Sequence, residues 1–231
     1  MLTLTRTLTA LTLSLFLAST AVATAEESSA LPTSASPSDA EVDALVSAVE
    51  SKYEGVQALR ASFVQTTHSE LFGDEQQVGT VVLKRPGKMR WDFTTGSEKQ
   101  FITDGKTMWV YTKSDNQAIR YDNVGGTGGA MDSLLQSLDK LHELFSVEVL
   151  PKEGGHHLRL RPRSAEESRF KQVELELNAD LTLDKVSITD AFDATTDLDF
   201  SAVELNVEAA DGLFEFSAPA GVEVLSTGGL E

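Results

Sequence analysis

Apolar residues recur at helical spacing after Ser38: Val42, Leu45, Val46, Val49, Tyr53 and Val56 fall on one face. Ser38 and Glu41 have the spacing of a capping box, in which each side chain satisfies a free backbone N–H of the other. The pattern predicts an amphipathic helix with a single apolar stripe, which must lie against another layer. After Leu59 the period changes to two. Strands are expected over 60–66, 77–84, 89–94, 99–103, 107–112 and 118–121. Gly73-Asp74, Arg85-Pro86-Gly87 and Asp104-Gly105 supply the turns between them. Short strands with short connections pair antiparallel.

The alternation breaks at the glycine run 125–129, and Met131, Leu134, Leu135, Leu138, Leu141 and Phe145 then return to helical spacing. Further strands are expected over 146–150, 157–161, 172–177, 183–189 and 197–206, with a last short one over 214–216. About eleven strands interrupted once by a helix make a mainly β chain. A sheet of that many strands curls or closes, so one strongly curved antiparallel sheet is expected. Two amphipathic helices are available to cover its concave face. If they cover it without filling it, an apolar cavity results.

At 231 residues, with 41% hydrophobic and 24% charged, the chain is expected to hold one well-buried domain. Its formal charge of −17 repels phosphate backbones and anionic headgroups, which argues against nucleic acid and against adsorption to a membrane by charge. Arg6 is the only charge in the first 25 residues, an apolar stretch runs over 8–18, and A-x-A sites end at Ala23 and Ala25. That is the pattern of a secretory signal peptide over 1–25, without a twin arginine. Residues 26–37 are rich in Ser, Ala, Pro and Glu and read as a flexible leader, which leaves 38–231 as the folded domain. Cysteine is absent, so neither a disulfide nor a lipid-attachment site is available. A protein free in the periplasm of a Gram-negative bacterium is expected.

Three stretches go beyond pattern: Ala61-Ser62-Phe63-Val64-Gln65, the run from Leu83-Lys84-Arg85-Pro86-Gly87 to Trp91, and Asp104-Gly105-Lys106-Thr107-Met108-Trp109-Val110-Tyr111. Their order and spacing resemble the LolA family, the outer-membrane lipoprotein carriers. The family pattern is ASF-x-Q, then KRP-x-x-x-x-W, then DGK-x-x-W-x-Y. Phe216-Ser217-Ala218-Pro219 resembles its C-terminal stretch. The resemblance implies an incomplete β-barrel covered by a helical lid. It also implies a carrier, not an enzyme, that takes lipoproteins from an inner-membrane ABC transporter, shields their acyl chains and delivers them to an outer-membrane receptor such as LolB. The arginine of KRP maps to Arg85, to which the resemblance assigns hydrogen bonds to lid backbone. Val82 stands where the family often has an aromatic residue. Lys88 and Arg90 make the segment after the proline more basic. Thr112-Lys113 follows Tyr111 in place of Asn or Asp and then Pro. These departures leave the cargo open.

Taken alone, Arg85 is a turn arginine that pairs with a nearby carboxylate or stands in solvent. Met89, Trp91 and Phe93 alternate and share a face, which is either ordinary sheet core or the lining of a cavity. Met108 and Val110 carry the same two readings. Met131, Leu134, Leu135 and Leu138 read as core, or as lid residues that also touch cargo. Adjacent His156 and His157 would point to opposite faces of a strand, so no metal site is expected, and no cofactor. Glu174 with Glu176, and Asp190 with Asp193, read as a solvated face. The glycine run lacks the Lys-Ser/Thr of a phosphate loop and reads as a hinge. The expectation is a monomeric lipoprotein carrier. The alternative is a carrier of a glycolipid or other long-chain lipid on the same fold. An esterase or glycan hydrolase would need a nucleophile motif the sequence lacks. A stress sensor of similar fold would need a further signalling domain.

Overall fold

A computed structural model describes residues 37–68, 73–96, 98–122, 135–164 and 170–227. Helix α1 (Asp39–Glu54) starts at the expected capping box: Ser38 N–H donates to Glu41 Oε2 at 2.8 Å and Glu41 N–H to Ser38 Oγ at 3.4 Å. Val46, Val49 and Tyr53 are buried beneath it, with Val42 and Leu45 packed at the margin.

Six strands follow: β1 (Ala58–Thr67), β2 (Glu75–Lys84), β3 (Lys88–Phe93), β4 (Lys99–Thr103), β5 (Thr107–Thr112) and β6 (Gln117–Asp122). A short helix α2 (Leu141–Leu144) leads into β7 (Phe145–Leu150), β8 (Gly155–Pro162), β9 (Phe170–Asn178), β10 (Leu183–Asp190) and β11 (Thr195–Leu205). A single 3-10 turn (Asp211–Phe214) precedes β12 (Glu223–Thr227). All twelve strands form one sheet in the order β12, β6, β5, β4, β3, β2, β1, β11, β10, β9, β8, β7. The sheet is strongly curved and open, an incomplete barrel with β12 and β7 as its edges. Every pairing is antiparallel except β12 on β6. β6 and β7 therefore stand toward opposite ends of the sheet, and the chain between them is described from residue 135. Its described part lies against α1, and Leu135, Leu138 and Leu141 enter the core.

Two expectations need correction. Residues 214–216 do not form the last strand: Phe214 closes the 3-10 turn, and the strand lies later, at Glu223–Thr227. The second helical pattern does not run unbroken to Phe145. The chain turns at 137–139, α2 is four residues long, and Phe145 opens β7, where it stacks on Phe170. The signal peptide, the leader up to residue 36 and the glycine run lie outside the described residues.

One core unites the covered face. Phe63, Val81, Leu83, Met89 and Trp91 meet Leu158, Leu160, Val173, Leu175, Val186, Leu198 and Phe200 beneath α1. Phe63 packs edge-on to Trp91 at 4.7 Å and to Phe93 at 5.1 Å between ring centroids. Gly79 makes this possible, because a Cβ there would stand 2.6 Å from the Phe63 ring and 2.3 Å from the Asp92 carbonyl oxygen. A second cluster of Ala58, Ala209 and Phe214, with Val82 and Val207 at its edge, holds the C-terminal segment on the other face.

Candidate functional site

The polar centre of the covered side is Arg85, in the turn between β2 and β3. Its backbone N–H donates to the Gln57 carbonyl at 2.8 Å, which fixes the start of the turn beside the end of α1. The guanidinium Nη1 donates to the carbonyls of Tyr53 at 3.1 Å and Glu54 at 3.5 Å and to Asp139 Oδ2 at 3.1 Å. Nη2 donates to the Gln136 carbonyl at 3.1 Å and to Asp139 Oδ1 at 2.9 Å. Tyr53 and Glu54 carry terminal carbonyls of α1, which lack intrahelical partners, so an arginine there also complements the helix dipole. Gly87 N–H adds a bond to Gln136 Oε1 at 2.9 Å. One turn thus ties together α1, the sheet and the segment that precedes α2. Arg85 thus both holds backbone carbonyls and pairs with a carboxylate. Asp139 and Gln136 were not visible in the sequence. They lie 54 and 51 residues away, and no local spacing links them to the turn.

Beside this knot, between Tyr53, Leu59, Leu83 and Leu135, lies a void of only about 20 Å³, about the room of one water. Burial of the Tyr53 ring pushes its phenol up to about 12, and its hydroxyl donates to the Leu181 carbonyl at 3.2 Å. A separate clasp joins α1 to α2: Glu50 accepts the His142 backbone N–H at 2.7 Å and approaches its Nδ1 at 2.8 Å.

The apolar candidates divide by depth. Met89 and Trp91 are core residues, 2% and 7% exposed, and Leu135 and Leu138 are equally buried under α1. Phe93 is half-buried on the same face, because β2 and β3 pair Gly79 with Phe93 and Val81 with Trp91. Trp91 then stands opposite Phe101 and Phe101 opposite Val110, while Thr103 stands opposite Met108. Met108 and Val110 therefore extend that face toward the β12 edge and are half-buried. Met131 and Leu134 lie outside the described residues. Trp109 and Tyr111 point the other way, under Phe216.

The basic residues after the proline close onto the C-terminal segment. Lys88 Nζ lies 2.9 Å and Lys84 Nζ 2.6 Å from Asp211 Oδ1. Arg90 forks onto Asp92 at 2.6 and 2.9 Å and reaches the Leu213 carbonyl at 3.3 Å. The carboxylate pairs of the sequence lie in networks on the outer face. Glu174 accepts from Arg159 at 2.9 Å and Glu176 from Lys152 at 2.6 Å. Asp190 caps its own hairpin by accepting Phe192 N–H at 2.8 Å, and Asp193 pairs with Lys171 at 2.8 Å. His157 faces Glu174 at 2.9 Å, on the opposite side of β8 from His156.

Comparison with known proteins places these features in context. Residues 54–217 match the family model described as outer membrane lipoprotein carrier protein LolA. The outer-membrane lipoprotein carrier protein of Bordetella avium is 33% identical over 174 residues, covering 74% of this chain and 81% of that one. That of Methylobacillus flagellatus is 29% identical over 181 residues, covering 78% and 88%. Among solved structures, an uncharacterized conserved protein from Thermus thermophilus is similar with a TM-score of 0.51 and 16% identity. The likeness covers 81% of this chain and 99% of that one, and it is a likeness of fold.

Proposed function

The chain belongs to the LolA family of outer membrane lipoprotein carrier proteins, and from that premise we propose that it carries lipoproteins through the periplasm with their acyl chains against the covered face of its sheet. The observation that carries this reading is the Arg85 knot. It is a polar fastening between the cover and an apolar sheet, set beside the core residues Leu135 and Leu138 that the cover supplies. Acyl chains offer no polar group to grip, so a carrier needs apolar area that is shielded when cargo is absent. With Arg85 in place, α1 and residues 135–144 perform that shielding. Loading moves the cover, and the chains take its place on Met89, Trp91, Phe93, Met108 and Val110. Leu135 and Leu138 complete the lining from the cover.

Loading costs the Arg85 bonds and the packing of Leu135 and Leu138 on the sheet, and acyl burial offsets both. Closing re-forms those bonds, which favours release. A difference of about 1.4 kcal/mol shifts the balance about tenfold, within reach of one or two charge-assisted hydrogen bonds. The donor is an inner-membrane ABC transporter whose ATP cycle drives loading, and the acceptor is an outer-membrane receptor resembling LolB. The protein acts as a monomer and performs no catalysis. It reaches the periplasm through the signal peptide over 1–25.

The test is a reconstituted transfer with donor membranes, this protein and receptor. Arg85→Leu keeps aliphatic bulk and removes the donors. It is expected to load normally and to release at least several-fold more slowly. Wild-type release would remove the fastening role. A protein that strips no lipoprotein from donor membranes would remove the carrier reading itself.

A further inference from the structure

We propose that Asp139 is the positioning residue for Arg85, and that this ion pair, more than the backbone contacts, sets how readily the segment 135–140 leaves the sheet. The proposal rests on the carrier reading above and identifies the side chain that regulates its cover.

The two terminal nitrogens of a guanidinium carry four N–H groups in one plane. Asp139 takes one from each, at 3.1 Å to Nη1 and 2.9 Å to Nη2. That fork fixes the plane. The second N–H of Nη1 is then aimed at the Tyr53 and Glu54 carbonyls, and that of Nη2 at Gln136. The carbonyl contacts, at 3.1 to 3.5 Å, are no shorter than the arms of the fork, and they converge on one plane only while the fork holds it. Bidentate arginine–carboxylate pairs are the strong and direction-setting members of such clusters. The side chains are 21% and 17% exposed, so water and salt screen the pair less than a surface bridge.

Position supports the same conclusion. Arg85 belongs to the sheet and Asp139 to the segment over it, so the pair spans the boundary that opens. The Glu50–His142 clasp differs, because it joins α1 to α2 within the cover and gives no preference between open and closed. Among the described residues, Asp139 also supplies the only carboxylate in the Arg85 contacts, and without it the guanidinium faces carbonyl dipoles alone.

The chain has no cysteine, so single thiols introduced at the exposed positions Lys140 and Ser201 take spin labels cleanly. Pulsed electron resonance on the full protein then reads the open and closed populations without cargo. Asp139→Asn is isosteric and breaks one arm of the fork. It is expected to raise the open-to-closed ratio about tenfold, Arg85→Leu by a similar factor, and the double variant no further. Arg85→Lys keeps the charge but cannot fork, and is expected to match Asp139→Asn. Wild-type distances in Asp139→Asn or Arg85→Lys would overturn the proposal. So would additive effects in the double variant, or a lowered Tm with unchanged distances, which is what a merely structural pair gives. Binding of dansylaminoundecanoic acid to the wild type is measured alongside. If the wild type binds none of this probe, the carrier reading loses support, while the distance populations still decide the role of Asp139.

Discussion

Phe216 lies against Trp109 with ring centroids 5.2 Å apart, and against Tyr111 at 5.3 Å. The two aromatic residues of the third sequence motif therefore serve the uncovered face, where the C-terminal segment crosses β5. Two separate stretches of family resemblance, one central and one near the C-terminus, are halves of a single contact. Phe216→Ala is expected to lower stability by about 1–2 kcal/mol, the worth of a half-buried aromatic pair. Urea unfolding would measure that loss. Amphiphile binding should stay unchanged, since the cover lies on the opposite face.

Gly79 is required by space, not by backbone angle. Its missing Cβ is where the Phe63 ring and the Asp92 carbonyl come together. Gly79→Ala is expected to cost about 2–3 kcal/mol through displacement of Phe63 and the β3 backbone. A Tm within error of the wild type would show that the ring can move aside.

Asp211 gives the fold an acid-sensitive clamp. Hydrogen bonds and charge attraction from Lys84 and Lys88 hold its carboxyl down at about 2, against an ordinary 3.8. A carboxyl depressed in the folded state stabilises above its unfolded value, and the benefit is lost as pH falls through the folded one. The clamp is therefore complete above about pH 4 and gone below about pH 2. Asp211→Asn should be the less stable protein at neutral pH, with the two stability curves converging across that window. Parallel curves down to pH 2 would mean that the contact is too solvent-screened to matter.

Much of this architecture was legible because burial writes a period into the sequence. The capping box at Ser38, the stripe through Val46, Val49 and Tyr53, and the alternation of Met89, Trp91 and Phe93 each record one face against the core. Strand β12 records nothing of the kind. It is an edge strand with Val224 46% and Leu225 41% exposed, so neither face imposes a pattern. Its parallel pairing depends on a return path past the 3-10 turn that no local signal describes. The second helix was overextended because Leu138, Leu141 and Phe145 stay buried across a change from helix to strand, and burial alone does not mark where the backbone switches. At the site, Arg85 was legible from its motif and Asp139 was not, since an acidic residue on an apolar helical stretch reads as solvated until its distant partner is known. Lys88 and Arg90 make the segment after the proline more basic in sequence, and in the fold their partners, Asp92 and the distant Asp211 that no local spacing assigns, offset those charges.

The division of the apolar face by depth leads to the last prediction. Met89 and Trp91 are packed on Phe63 and the underside of α1, so a polar group there lacks a partner whether or not cargo binds. Met89→Gln should cost about 2–4 kcal/mol from lost packing and an unsatisfied amide, and any loss of affinity would be confounded by that damage. Met108 and Val110 share the face by register but are half-buried, so a side chain of equal volume can turn polar there with less than about 1 kcal/mol of harm. Met108→Gln and Val110→Thr, combined, are therefore the cleaner probe. They are expected to leave the urea midpoint nearly unchanged and to weaken dansylaminoundecanoic acid binding by about tenfold, because about 1.4 kcal/mol is what two lost apolar contacts with a chain supply. Unchanged affinity in a fully folded double variant would place the cargo elsewhere. Opening at Arg85 would then expose only the deeper residues under α1, and the half-buried strip toward β12 would be left as sheet surface.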